Sequence, residues 1–251
     1  MKMTLYHGEP NGPSLTVLAA FFAKQLQAEL VRIDLESGQR HTLACAQEPL
    51  VAMSVEGEGP VLVVDGEAMT DSVFIACYLD DVGQGEPLRP ADPYARWETM
   101  RWCRQIIERT APAAACLGCW SQPPQADPAI LDKIASVDLR ARWRKIDAGE
   151  FCEDELTDSR SKIHQAAERT EARLEGRQWL MNTFSIADLE SYAWLAGMVS
   201  LVPVAFAAKP RTRLWLKRVS EHPAVAQALA LARSEDPATS WSVGPEINRW
   251  G

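Results

Sequence analysis

The chain has 251 residues, of which 47% are hydrophobic and 24% charged. That length can bury one large core or two smaller ones, and the composition excludes global disorder. The formal net charge of -8 argues against nucleic acid or an anionic membrane as the main partner, and no run of ~18 apolar residues predicts a transmembrane helix.

Met3 to His7 is a short, mostly apolar run, ended by the breaker cluster Gly8-Glu9-Pro10-Asn11-Gly12-Pro13. The same cluster interrupts the start of the chain, so residues 1–20 do not read as a signal peptide, and a cytoplasmic location is expected. Ser14 precedes an unbroken apolar stretch to Leu26, so a helix capped by Ser14 is predicted there. Val31 to Leu35 alternates like a half-buried strand, and Ser37-Gly38 closes it. The order so far is a βαβ unit.

Residues 41–56 are irregular and weakly helical. Gly57-Glu58-Gly59-Pro60 then leads into Val61-Leu62-Val63-Val64, a hairpin signal at Asp65-Gly66, and a returning strand Glu67 to Thr70. Asp71-Ser72 caps an apolar helix, Val73 to Tyr78. The first 82 residues therefore read as βαβ followed by ββα. Residues 83–93 are a Gly/Pro linker, and 94–251 form an all-helical region with breaks at Pro112, Pro123-Pro124, Gly149, Gly176 and Pro203. Ser185-Ile186-Ala187-Asp188 has the form of a capping box with Asp in place of Glu. The tail from Pro237 reads as irregular.

Six cysteines are present, and free thiols are expected where no export signal is found. Cys116-Leu-Gly-Cys119 lacks a second pair or a nearby His, so no metal site is expected. It lies in an Ala-rich helical stretch and reads as helix packing.

The order and spacing of these features resemble the glutathione transferase family over nearly the whole chain. The most specific part is Gly59-Pro60-Val61-Leu62, then Asp65-Gly66, then Thr70-Asp71-Ser72, with the Ser185–Asp188 box behind it. The resemblance implies a thioredoxin-like α/β N-terminal domain (residues 1–82), a linker (83–93) and an all-α C-terminal domain (94–251). It implies glutathione as cosubstrate. Pro60 would be the family's cis-proline, freeing the Gly59 backbone to pair with the cysteinyl segment of the tripeptide. The helix tip at Asp71-Ser72 would take the γ-glutamyl end, with Ser72 donating to its carboxylate and Asp71 accepting its ammonium. His41 falls where the family often places a basic residue over the glycyl carboxylate.

The thiolate is the reactive form of such a ligand, so a donor near the sulfur activates it. Ser14 is the expected donor and Asn11 the runner-up. Tyr6 matches the family's structural tyrosine on the first strand.

Within the family the chain is similar to the bacterial glutathione-dependent β-etherases of lignin degradation. Leu5-Tyr6 with Ser14 and Leu15, the linker Leu88-Arg89-Pro90-Ala91-Asp92-Pro93-Tyr94, and Trp143-Arg144-Lys145 carry that likeness. It implies thiolate attack on the carbon bearing an aryl ether beside a ketone, with Trp102, Cys116 and Trp120 lining an apolar pocket. The chain departs from the family at Pro13, where Asn is usual, and at Ser54 to Gly59, which brings Glu56 and Glu58 near an anionic ligand. A weakly active or supporting subunit of a heterodimer is therefore the second expectation. The third is a glutathione-dependent disulfide reductase, suggested by Pro10-Asn11-Gly12. Partners expected are glutathione, an aromatic substrate and a second transferase subunit, identical or paralogous.

Overall fold

The computed structural model describes residues 2–33, 60–123, 128–132 and 137–240. Four strands form one mixed sheet in the order β2-β1-β3-β4. These are β1 (Met3–His7), β2 (Glu29–Arg32), β3 (Val61–Val64) and β4 (Glu67–Met69). β2 runs parallel to β1, while β3 is antiparallel to both β1 and β4. β2 starts two residues earlier than the alternation at Val31 predicts. Asp65 and Gly66 both have positive φ, at 49° and 94°, as a type I′ hairpin turn requires.

Helix α1 (Gly12–Ala23) has nine buried residues in an unbroken run that starts at Ser14 apart from Gly12. It is apolar almost all round because it is covered on more than one side: it packs on α2 (Ser72–Val82), on α8 (Ile186–Leu195) and on the last described α-helix, Pro223–Leu229. Helix α1 begins at Gly12, not at Ser14. Asn11 is its N-cap, with extended backbone and Oδ1 accepting from the Gly12 N–H at 2.8 Å. Two features of Gly12 explain why a glycine is needed. Its φ is +48°, and a Cβ there would lie 3.1 Å from the Trp194 ring.

The predicted linker is held by charge. Asp80 on α2 accepts from Lys24 at 3.1 Å, from Arg89 Nε at 2.9 Å and from the Leu88 N–H at 2.8 Å. The Leu88 carbonyl in turn accepts from the Ile186 N–H at 3.0 Å. This chain of bonds ties the end of the α/β unit to the start of α8.

The helical region contains α3 (Pro93–Gln105), a π-helical segment (Ile106–Thr110) and α4 (Ala111–Ser121) as one bent rod. The predicted break at Pro112 takes the form of that π segment, since a proline in the second position of α4 cannot donate to the preceding turn. The single-turn α5 (Pro128–Leu131) and the longer α6 (Val137–Asp147) follow, then the long α7 (Glu153–Arg173). After α8 come α9 (Met198–Leu201), α10 (Pro203–Phe206), α11 (Pro210–Ser220) and α12 (Pro223–Leu229). One continuous apolar core joins the two regions, from Leu5, Leu18, Leu62 and Ile75 to Leu117, Trp143, Phe206 and Trp215. Cys116 and Cys119 are both buried in α4, consistent with a packing role.

Candidate active site

The site is built where the N-terminal ends of α1 and α2 meet the head of the sheet. The register Tyr6↔Val61 continues to place Pro60 beside His7. Pro60 is buried at the head of β3. Gly59 and His41 lie outside the described residues.

Ser14 is 1% exposed and is the third residue of α1, so it is not the N-cap. Its Oγ accepts from the Gly8 N–H at 2.9 Å. That bond folds the Gly8–Asn11 loop back over the helix start and uses one lone pair of the hydroxyl. The hydroxyl proton remains available to a further acceptor. Asn11 is more fully engaged. Its Oδ1 caps Gly12, and its Nδ2 donates to the Ser240 carbonyl at 2.8 Å.

The C-terminal segment also reaches Glu9. Glu9 Oε1 accepts from the N–H groups of Arg233 and Ser234, each at 2.8 Å, and from the Ser234 hydroxyl at 2.6 Å, while Oε2 pairs with Arg32. Burial opposes ionisation of Glu9, but these bonds outweigh it and hold its carboxyl below the usual range. His7, at the end of β1, is buried with Nδ1 2.8 Å from the Gly8 carbonyl. Burial pushes its imidazole below the ordinary histidine value, against that bond, so it is neutral at pH 7.

Asp71 caps α2. Its Oδ1 accepts from the N–H groups of Val73 and Phe74, at 3.0 and 3.1 Å, with φ at 73°. A non-glycine residue at positive φ at a helix tip is a strained conformation of the kind that clusters at ligand sites. Ser72 is buried, and its Oγ donates inward to Glu190 Oε2 at 3.2 Å. The same oxygen accepts from Thr16 of α1 at 2.8 Å, and Oε1 accepts from Trp194 Nε1 at 2.9 Å. One buried carboxylate thus draws together α1, α2 and α8. Sequence reasoning missed Glu190. The only signal was an acid two residues after Asp188 in an otherwise apolar helix.

The Ser185–Asp188 box is present. Asp188 is fully buried and collects four donors: Leu180 N–H and Trp215 Nε1 on Oδ1, both at 2.9 Å, and the Ser185 N–H and hydroxyl on Oδ2, at 3.0 and 2.8 Å.

The three predicted pocket residues do not converge. Cys116 is buried and Trp120 is exposed, and both face α7, where Arg160 lies 5.4 Å over the Trp120 ring. Burial raises the Cys116 thiol, against a hydrogen bond with Ser159. Trp102 instead donates to Ser191 on α8 at 2.9 Å, with Arg169 4.7 Å above its ring. Ser159 and Arg169 are ten residues, or about 15 Å, apart along α7.

The two buried acids give a pH prediction. Burial raises Asp188 from 3.8 to about 6 and Glu190 from 4.5 to about 7, against their hydrogen bonds. Across those windows the folded chain holds protons that the unfolded chain has lost, so stability falls as pH rises through them. Glu9, Asp80, Glu98 and Glu171 are all shifted the other way, and their contribution is lost as pH falls below the carboxylate range. His7 and His222, pushed below the ordinary histidine value by burial, act against the two acids up to about pH 6.5, so the clear fall in melting temperature is expected above that, as Glu190 titrates. A melting temperature that climbs steadily from about pH 5 to 8 would contradict these assignments.

Residues 1–81 match the family described as "Glutathione S-transferase, N-terminal domain". Protein LigF of Sphingobium sp. (strain NBRC 103272 / SYK-6) is 26% identical over 94% of this chain and 96% of its own length. The crystal structure of β-etherase LigF from that strain superposes with a TM-score of 0.81 at 24% identity, covering 92% of this chain and 99% of the other. A glutathione transferase from Methylobacillus flagellatus KT, solved with GSH bound, superposes with a TM-score of 0.66 at 18% identity over 90% and 98% of the two chains. The architecture is thus a thioredoxin-like unit followed by a helical region.

Proposed function

We propose that this chain, whose first 81 residues belong to the glutathione S-transferase N-terminal family, is a β-etherase-type transferase that binds glutathione at the joined tips of α1 and α2. The observation that carries the reading is that convergence. Thr16, the fifth residue of α1, and Ser72, the first of α2, bond to one oxygen of Glu190. Two helix N-termini aimed at one region favour an anionic ligand, and glutathione carries both a thiol and carboxylates.

In this reading the γ-glutamyl end rests at Asp71 and Ser72, and the main chain beside Pro60 pairs with the cysteinyl segment. His41 holds the glycyl carboxylate. Ser14 donates its free proton to the sulfur and stabilises the thiolate. Asn11 has its Oδ1 and one of its two Nδ2 protons already engaged, which favours Ser14 over it. The thiolate attacks the carbon bearing the aryl ether; the C–S bond forms, the C–O bond breaks, and a phenolate leaves and takes up a proton. The helical region supplies the apolar surface for the aromatic substrate. The protein works as a cytoplasmic dimer with an identical or paralogous subunit.

A second reading is a weakly active or supporting subunit. It is favoured by the inward direction of the Ser72 hydroxyl, which leaves that proton unavailable to a ligand. Calorimetric titration with glutathione, then incubation with a β-aryl-ether aromatic ketone, separates the readings. The expected result is binding, with equal amounts of phenol and glutathione thioether formed. No binding at millimolar glutathione leaves the supporting role. Reduction of a disulfide substrate in place of ether cleavage would point to the reductase.

A further inference from the structure

We propose that Glu190 is a positioning residue for the acidic end of the bound tripeptide, its Oε2 deciding whether the Ser72 hydroxyl gives its proton inward to the protein or outward to the ligand. The inference rests on the reading that this site binds glutathione.

A serine hydroxyl has one proton. In the structure it goes to Glu190 Oε2, 3.2 Å away. Ser72 Oγ then offers only lone pairs to its other side, where a carboxylate would be repelled. If Oε2 carries a proton, the bond reverses: Oε2–H donates to Ser72 Oγ, and the serine proton is released outward. Thr16 at 2.8 Å and Trp194 at 2.9 Å keep donating to the remaining lone pairs of the carboxyl. One proton enters from solvent for each ligand bound, and no other atom changes partner.

The surroundings favour that proton. Glu190 is 1% exposed. Burial, aided by the charge of Asp71 at the tip of α2, raises its carboxyl to about 7. On α8 itself Asp188 and Tyr192 titrate; the elements packed on it bring Cys103 on α3, Cys77 on α2, Glu108 and Arg109 on the π-helical segment and Cys116 and Cys119 on α4. Helices α1 and α9 carry no titratable side chain, and α11 turns Trp215 toward Asp188. Among the described residues no cation pairs with Glu190. An arriving carboxylate adds like charge and pulls the proton on more tightly.

The same residue reaches the thiol half of the site. Trp194, held by Glu190, is the ring against which Gly12 packs. Glu190 therefore spans both grips on the ligand through Ser72 on one side and the Asn11–Ser14 turn on the other.

The test titrates S-methylglutathione, whose blocked thiol cannot ionise, into the full chain by calorimetry from about pH 5.5 to 8.5 in two buffers of different ionisation enthalpy. Wild type is expected to bind about tenfold more weakly at the alkaline end, with proton uptake on binding near neutral pH. Glu190→Gln places a permanent donor against Ser72 Oγ, so its affinity should stay at the acid limit across the range, with no proton uptake. Ser72→Ala, which keeps Glu190 in place, should be weak and equally flat; it decides the matter if Glu190→Gln does not fold. Wild-type slope and proton uptake retained in either variant overturn the inference alone. No binding of the ligand to wild type overturns the glutathione reading and this inference with it.

Discussion

Replacing Asp188 by alanine is expected to remove about 3–5 kcal/mol of folding stability, the largest loss from any single side chain in the helical region. The reason is the number of donors it strands. Leu180 N–H, Ser185 N–H, the Ser185 hydroxyl and Trp215 Nε1 all end on this one carboxyl. Each is enclosed, so water cannot replace the lost acceptor. Trp215 is itself fully buried and contributes to the core beside Trp143. At about 2–4 °C per kcal/mol for a chain of this size, the melting temperature should drop by about 10 °C. Asp188→Asn keeps one acceptor oxygen for Leu180 and Trp215 but turns an N–H₂ toward Ser185, so it should lose less. Denaturant unfolding of the three proteins measures this. An alanine variant within about 1 kcal/mol of wild type would mean the box is not the anchor of α8.

The consequence extends to the site, because Asp188 sets the start of the helix that carries Glu190 and Trp194. Thr16, Ser72 and Gly12 all take their positions from those two side chains. A fault two residues upstream therefore weakens the seam between the two regions as well as the core.

Much of this was legible in the sequence because local chemistry decided it. Asp65-Gly66 can adopt the two positive φ values of a tight hairpin, and the apolar run Val61 to Val64 precedes it. Ser185 and Asp188 stand three apart ahead of an apolar run, and the box forms. Asp71 caps α2 through its side chain. The start of α1 was less legible. Ser14 and Asn11 are both good caps, and the choice between them was made by Trp194, about 180 residues away, which fills the space over Gly12. Likewise Ser14 reads as a cap in one dimension, yet its Oγ is spent on the Gly8 N–H. Glu190 was missed for the same reason. Its one local sign is an acid in an otherwise apolar helix, while its partners come from α1 and α2. The strap formed by Arg233, Ser234 and Ser240 over Glu9 and Asn11 is another long-range feature with no sequence period to betray it. Trp102, Cys116 and Trp120 carry the right chemistry for a pocket, but Trp102 sits between Ser191 of α8 and Arg169 of α7, while the other two meet α7 further up, at Ser159 and Arg160.

The largest effect on turnover is expected from Ser14→Ala. The hydroxyl accepts from Gly8 at 2.9 Å and has its proton to spare. It lies at the first turn of α1, where the helix end also favours negative charge. Removing a single preorganised donor to a developing or resting anion typically costs about 10²–10³ in rate. Loss of kcat/KM by about 10²-fold is therefore expected, with the pKa of the bound glutathione thiol moving up toward its free value near ~8.5. The thiol titration, followed by the ultraviolet absorbance of the thiolate, is the decisive readout. The variant also strands the Gly8 N–H, which costs about 1–3 kcal/mol in stability and lowers activity without moving the thiol. Asn11→Ala supplies the contrast: it loses the cap on Gly12 and the tie to Ser240, so it should melt earlier and leave the thiol pKa nearly unchanged. If Asn11→Ala raises the thiol pKa and Ser14→Ala does not, the donor is the asparagine. The Ser14 hydroxyl would then serve only to hold the Gly8 loop against the helix.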